Sequence, residues 1–424
     1  MLTQELYAKY IAILEEELIP AMGCTEPIAL AYASALARKT LGSLPERAEL
    51  AVSANIVKNV KSVIVPHTGN LRGIEAAAAA GIIAGDPDRE LEVLSCVTED
   101  QISRIRQYLQ TADIGVSTSE SGFIFDIQVK LFAGDHTAFV RVAGNHTNVI
   151  RIEKDDAVLL SREYIQSGLT QHTDHSILNV ADIIDFADTV PIDAVKALLD
   201  RQITCNTAIA EEGLRNDWGA SIGKVLLAAY GDTVHNRAKA WAAAGSDARM
   251  SGCEMPVVIN SGSGNQGLTA SLPVIIYAEH LGVSREQLYR ALLVSNLITI
   301  HLKTGIGCLS AYCGATSAGC GAGAGITYLY GGKALEISHT VVNAVAINSG
   351  MICDGAKASC AAKIASAVEA GLLGMQMQQQ GTEFFGGDGI VVKGVENTIS
   401  NVGRLARVGM AETDKEIIQI MIGC

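Results

Sequence analysis

Apolar residues recur at helical spacing at Leu6, Tyr10, Ile13, Leu14 and Leu18, so residues 1–19 read as a first helix, which Pro20 ends. Pro27 fits the opening turn of a second, alanine-rich helix over 28–41, because proline has no N–H to lose there. Over 47–152 the texture changes. Residues 49–65 alternate and are rich in valine, 73–84 form an alanine-rich helix, and 123–132 and 137–142 alternate like paired strands around an Ala-Gly-Asp turn. From about residue 177 onward nearly every segment has helical periodicity, with helices expected over 183–200, 207–212, 222–230, 269–280, 285–300, 335–347, 361–373 and 413–421. The fold class is therefore α+β, a large Ala/Gly-rich all-helical domain with a smaller α+β domain inserted near the N-terminus. The expected divisions are 1–45 (N-terminal helices packing with the helical domain), 46–174 (the α+β domain) and 175–424 (the helical domain), with a hinge near Asp174 and Ser176.

Composition sharpens this picture. Of 424 residues 49% are hydrophobic and only 18% charged, which raises the question of a membrane protein. The long apolar stretches, 255–281 and 291–330, are broken by Asn260, Ser261, Ser263, Asn265, Gln266, His301, Lys303 and repeated glycines. None reads as the uninterrupted span of about 20 residues that a bilayer needs. Small residues at this density instead let helices approach closely. The N-terminus is acidic and amphipathic, with no cationic region ahead of a hydrophobic run, which argues against a signal peptide and for a cytoplasmic protein. A net charge of −13 argues against nucleic acid, whose phosphates need a basic surface, so a small-molecule substrate is expected. Ten cysteines without an export signal point to metal binding or catalysis rather than disulfides.

Cys353 and Cys360 stand seven apart in a Gly-containing segment that runs into a helix, where backbone N–H groups stabilise thiolates; they read as a ligand pair. They lack the CxxC signature of zinc ribbons and ferredoxins. Cys308, Cys313 and Cys320 lie in a glycine-rich tract forty residues earlier, where a helix would put 313 and 320 on one face. Cys96, Cys205 and Cys253 stand alone and read as small hydrophobes. Cys24, in GCTEP at 23–27, precedes a helix whose dipole favours a thiolate, making it a candidate nucleophile, base or ligand; the alternative is Thr25 as a plain helix cap. Cys424, the last residue, is a ligand only if the tail folds back, against the ordinary fraying of a terminus.

NSGSGNQG at 260–267 packs hydroxyls, amides and glycines before a helix, a fitting host for a carboxylate through Ser261, Ser263, Asn265 and Gln266, with an ordinary interhelical turn as the alternative. PHTGNLRG at 66–73 and GNHTN at 144–148 group His67, Asn70, Arg72, His146 and Asn148 on loops after strand-like runs, where they serve either substrate or the turn itself. Arg249, in SDAR at 246–249, is a further carboxylate clamp. His172, Asp174 and His175 form a metal-like HxDH that reads as a solvated hinge.

Taken together, GCTEP, GNHTN, SDAR, NSGSGNQG and the GMICDG at 350–355 resemble, in order and along essentially the whole chain, the L-cysteine desulfidase family, related in its C-terminal half to the iron-sulfur L-serine dehydratases. The resemblance implies a [4Fe-4S] cluster on Cys313, Cys353 and Cys360, with Cys24 as an additional ligand or catalytic base and Cys308 and Cys320 as passengers. Cys424 is similar to the terminal cysteine of the serine dehydratases, which folds onto their cluster. The implied reaction is β-elimination of sulfide from L-cysteine, the iron acting as a Lewis acid, with Cys24 as first base candidate and His67 and His146 behind it. Arg249 and the 261–266 loop are the implied carboxylate binders, with Thr25, Glu26, Asn70, Arg72 and Asn148 also expected at substrate. The expected partner is a small amino acid, L-cysteine or else L-serine. A homodimer is allowed, and neither nucleic acid nor membrane is expected. The alternatives are a single-chain L-serine dehydratase, a pyridoxal-phosphate lyase on Lys303 or Lys357, and a redox sensor or metal store.

Overall fold

A computed structural model describes residues 2–163, 173–307 and 310–422; His172, Cys308 and Cys424 lie outside them. Helices dominate, as expected, and one six-stranded sheet lies in the N-terminal part. The strands run in the order Asp113–Thr118, Arg47–Val52, Asp126–Ala133, His136–Ala143, Val149–Lys154 and Ala157–Ser161, the first pair parallel and the rest antiparallel. Alternation decides its faces. Ala48, Leu50, Val52, Ile127, Val129, Leu131, Val140 and Val142 are buried on the face that meets the Thr25–Leu41 helix, while Glu49, Lys130 and Arg151 stand on the other.

The expected alternation over 49–65 is half right. Its first part is the Arg47–Val52 strand, but Ser53 turns the chain into an Ala54–Val60 helix. The helix expected over 183–200 is two, Val180–Thr189 and Lys196–Arg215, because Pro191 offers no N–H and holds Val190 extended. Val234–Met250, not anticipated, is a helix that carries Arg249.

Two pairings too short to read from sequence organise the molecule. Pro20–Met22 pairs antiparallel with Pro256–Val258, which sets Cys24 and Thr25 beside the 260–267 loop. An isolated antiparallel bridge joins Tyr312 to Ile352.

In the helical part, Gly314–Leu329 runs through the middle, packed against Gly264–Leu281, Arg285–Ile306, Ala334–Asn348 and Cys360–Gln379, and it is buried from Ala315 to Thr327. Its glycines let backbones touch: a Cβ on Gly319 would lie 2.1 Å from the Ala367 carbonyl oxygen. Gly319→Ala is therefore expected to cost about 1–3 kcal/mol by overpacking, read as a lower urea midpoint. Gly115→Ala, whose Cβ meets its nearest neighbour at 4.0 Å, should change it little; equal midpoints for the two variants would refute close packing as the reason for Gly319.

Among the described residues no helix is long and apolar enough to cross a membrane.

Candidate functional site

A cavity of about 610 Å³ opens where the N-terminal segment, the sheet loop 144–148 and the helical part meet. Cys24, Cys313, Cys353 and Cys360 all line it. The Tyr312–Ile352 bridge explains how two of them meet, since the Cys313 N–H donates to Met351 O (3.0 Å) and the Cys353 N–H to Ala311 O (2.6 Å). The two backbones are thereby clamped side by side and their thiols hydrogen-bond each other. Cys360 opens the Cys360–Gln379 helix and packs against a small cluster that contains Cys24.

Helix ends bring positive potential to the side of the cavity where the cysteines stand. Cys24 and Cys313 are the N-cap residues of the helices Thr25–Leu41 and Gly314–Leu329, and Cys360 and Gly264 are the first residues of theirs. Four positive helix ends therefore converge on one space, which favours anions. Lys58 and Lys303 add positive charge near Cys353, as do Lys357 and Lys363 near Cys360. The hydrogen bond from Cys313 first, and these charges after it, hold the Cys353 thiol below its ordinary value, while the same bond and burial push Cys313 up. Burial likewise raises Cys360 and Cys24. Burial thus keeps Cys313 and Cys360 as thiols, and a metal centre would supply the positive charge that makes them thiolates.

The donor set fits such a group. Three thiols from two loops and a helix start, without CxxC spacing, face one roomy space, and sulfur ligation suits iron-sulfur chemistry. Among the described residues no group of three or more His, Cys, Asp and Glu is arranged to hold a metal ion.

Cys24 differs from its expected state. The helix end should favour its thiolate, but Glu26 is closer: the thiol donates to Glu26 Oε2 at 3.2 Å, and burial and that carboxylate keep the proton on sulfur. Nor does Thr25 cap the helix; its hydroxyl lies 3.1 Å from Glu26 Oε2 and 3.2 Å from the Gly262 carbonyl.

His146 lines the cavity, its ring edge-on to Phe125 at 5.0 Å and its Nε2 buried with no hydrogen-bond partner. Burial lowers its pKa, so the imidazole is neutral near pH 7. Asn148, also at the wall, spends its amide on the Ala143 carbonyl (2.8 Å) and holds the turn.

Arg249 is 4% exposed and donates through Nη1 to Asn265 Oδ1 at 3.1 Å, with Nε unpartnered. Gly264 makes room for it, because a Cβ there would lie 2.3 Å from that Nε. Ser261, Ser263, Asn265 and Gln266 share the wall, and Gln266 Oε1 is buried without a partner. Unsatisfied donors and acceptors at this burial are costly and point to a polar guest.

His67, Asn70 and Arg72 are not brought to the cavity. Their segment folds on itself: the Val65 N–H donates to Leu71 O (2.9 Å), Ile64 bridges Arg72, and Asn70 takes a left-handed conformation on an exposed turn. His67 Nδ1 instead lies 3.2 Å from Glu254 Oε2. Cys320 is buried within its helix and does not line the cavity, whereas Cys313 does so as that helix's cap. Lys357 donates to the carbonyls of Asp354 and Gly355 and does not line the cavity; Lys303 does.

Glu16, Glu17, Thr173 and His175 are cavity residues that sequence reasoning missed. The segment expected as a solvated hinge is tied down, with Thr173 donating through N–H (3.1 Å) and hydroxyl (2.9 Å) to Glu16. The available signal was three consecutive glutamates at a helix C-terminus, where the dipole disfavours them.

Residues 88–419 match the family described as serine dehydratase alpha chain. The chain is also similar to UPF0597 protein DSY1109 of Desulfitobacterium hafniense (strain Y51), 58% identical over 416 residues that cover 98% of this chain and 97% of the relative. UPF0597 proteins of Lachnoclostridium phytofermentans (51% over 417 residues, 98% and 100% covered) and Treponema denticola (44% over 427 residues, 99% of each) are similar along the same length. With most of its length matched, this chain belongs to the serine dehydratase alpha chain family.

Proposed function

We propose that the chain is an iron-sulfur-dependent amino-acid lyase that eliminates sulfide from L-cysteine, the aminoacrylate formed hydrolysing to pyruvate and ammonia. The observation that carries this reading is the convergence of Cys313, Cys353 and Cys360 with a buried, incompletely partnered Arg249 on one cavity. A [4Fe-4S] cluster held by these three cysteines would supply a Lewis-acidic iron.

The chain's own groups supply the rest. Arg249, placed by Asn265, and the N-terminus of the Gly264–Leu281 helix hold the substrate carboxylate and stabilise the charge that builds on it as the Cα proton leaves. His146 Nε2 receives that proton, since it is buried, neutral and uncommitted. Cys24 keeps its own proton at Sγ on Glu26, beside Cys360.

A preference for L-serine is the second reading, favoured by the description of the matched family. Protein purified without oxygen and assayed for iron, sulfide and pyruvate decides both. Iron and acid-labile sulfide with faster pyruvate release from L-cysteine supports the proposal, and faster release from L-serine replaces it with the dehydratase. Protein without iron, or inert towards both amino acids, removes the reading.

A further inference from the structure

Resting on the amino-acid lyase reading, we propose that Glu17 accepts the α-ammonium of the substrate and so makes the cavity selective for α-amino acids over α-hydroxy acids. An amino acid carries opposite charges on one carbon, so its host needs an anion beside its carboxylate clamp. Among the described residues the acidic groups on the cavity wall are Glu16, Glu17 and Glu26. Glu26 accepts the Cys24 thiol at 3.2 Å and the Thr25 hydroxyl at 3.1 Å. Glu16 accepts the Thr173 N–H and hydroxyl. Glu17 instead takes a hydrogen bond from the backbone of Ser261, the start of the loop whose Asn265 accepts from Arg249; His175 Nε2 stands 3.8 Å away, and Lys303 acts on it as a more distant charge. It thus borders the same loop as the carboxylate clamp.

Local physics does not favour a carboxylate here. Glu17 ends the Gln4–Glu17 helix, where the dipole is negative, with no basic residue in the last turn. Its side chain is 22% exposed and lines the cavity. Burial first, and Glu16 second, raise its pKa to about 7. A bound ammonium would relieve both effects, and an unfavourable placement of this kind is expected where function requires it.

The test is binding of L-alanine and L-lactate, which differ in ammonium against hydroxyl, measured by calorimetry on oxygen-free holoprotein. Wild type should prefer L-alanine by about tenfold or more, the range of a charge-assisted hydrogen bond. Glu17→Gln should bring the two ligands within about twofold while leaving L-lactate affinity and iron content unchanged. A preference that survives in Glu17→Gln, or one that wild type never shows, overturns the proposal. If Glu17→Gln does not fold, Glu17→Asp draws the carboxylate back and must weaken the preference; an undiminished preference overturns it equally. Wild type that shows the preference but does not act on L-cysteine or L-serine would remove the lyase reading and leave the ammonium site standing.

Discussion

Cys353→Ser should purify colourless, with most of its iron lost and no turnover, while Cys253→Ser keeps both. Cys353 is the thiol that the Cys313 hydrogen bond and two lysines bias most strongly towards the thiolate, so it anchors a cationic centre best. Serine preserves the backbone bond to Ala311 O and the local fold, but an alkoxide is a poor ligand for soft iron-sulfur chemistry. Cys253 is buried and does not line the cavity, which makes its variant a control for the loss of a buried thiol alone. Iron content and visible absorbance of anaerobically purified variants give the answer. Full iron in Cys353→Ser would remove the three-cysteine centre from the proposal.

The second large effect concerns the proton. His146→Asn is expected to lower kcat by about 10²–10⁴-fold with iron content unchanged, the range lost with a positioned general base. The pH profile gives an independent reading. The base acts as the neutral imidazole, and burial shifts its pKa downward, so activity should disappear only as pH falls below 6.5, the ordinary histidine value. If Cys24 were the base, its burial and its Glu26 neighbour would place the acid limb above 9.0. Cys24→Ala separates the two further. Retained kcat in His146→Asn, with Cys24→Ala inactive yet iron-replete, would transfer the role to Cys24; loss of iron in Cys24→Ala would instead make it a ligand.

Electrostatics is the reason the proposal gives the base role to His146 rather than to Cys24, the first candidate from sequence. A thiol before a helix is read from sequence as activated, because the dipole is the one field visible locally. The folded chain adds Glu26 at hydrogen-bond distance and removes water, and both effects act against the thiolate.

By itself the sequence determined what local pattern can encode. Period-2 alternation marked the Asp126–Ala133 and His136–Ala143 hairpin, helical periodicity marked the long C-terminal elements, and small residues announced close helix contacts such as Gly319 on Ala367. The motifs around Cys24, Ser261, Cys353 and Cys360 were also legible, since each sets a reactive group within a few residues of an expected helix start, whereas the helix that carries Arg249 was not. Their meeting was not. Cys313 and Cys353 are joined by a single bridge between residues forty apart, and Cys24 reaches the Ser261 loop through three residues of strand, pairings too short to leave a periodic trace. Tertiary structure likewise decided the failures: His67, Asn70 and Arg72 close a turn of their own, while Glu16, Glu17 and His175 gain their place only when the first helix and the segment after the sheet close one side of the cavity. Sequence encodes what neighbouring residues impose on one another, and the site depends on charges and pairings between distant segments, which exist only once the chain has closed upon itself.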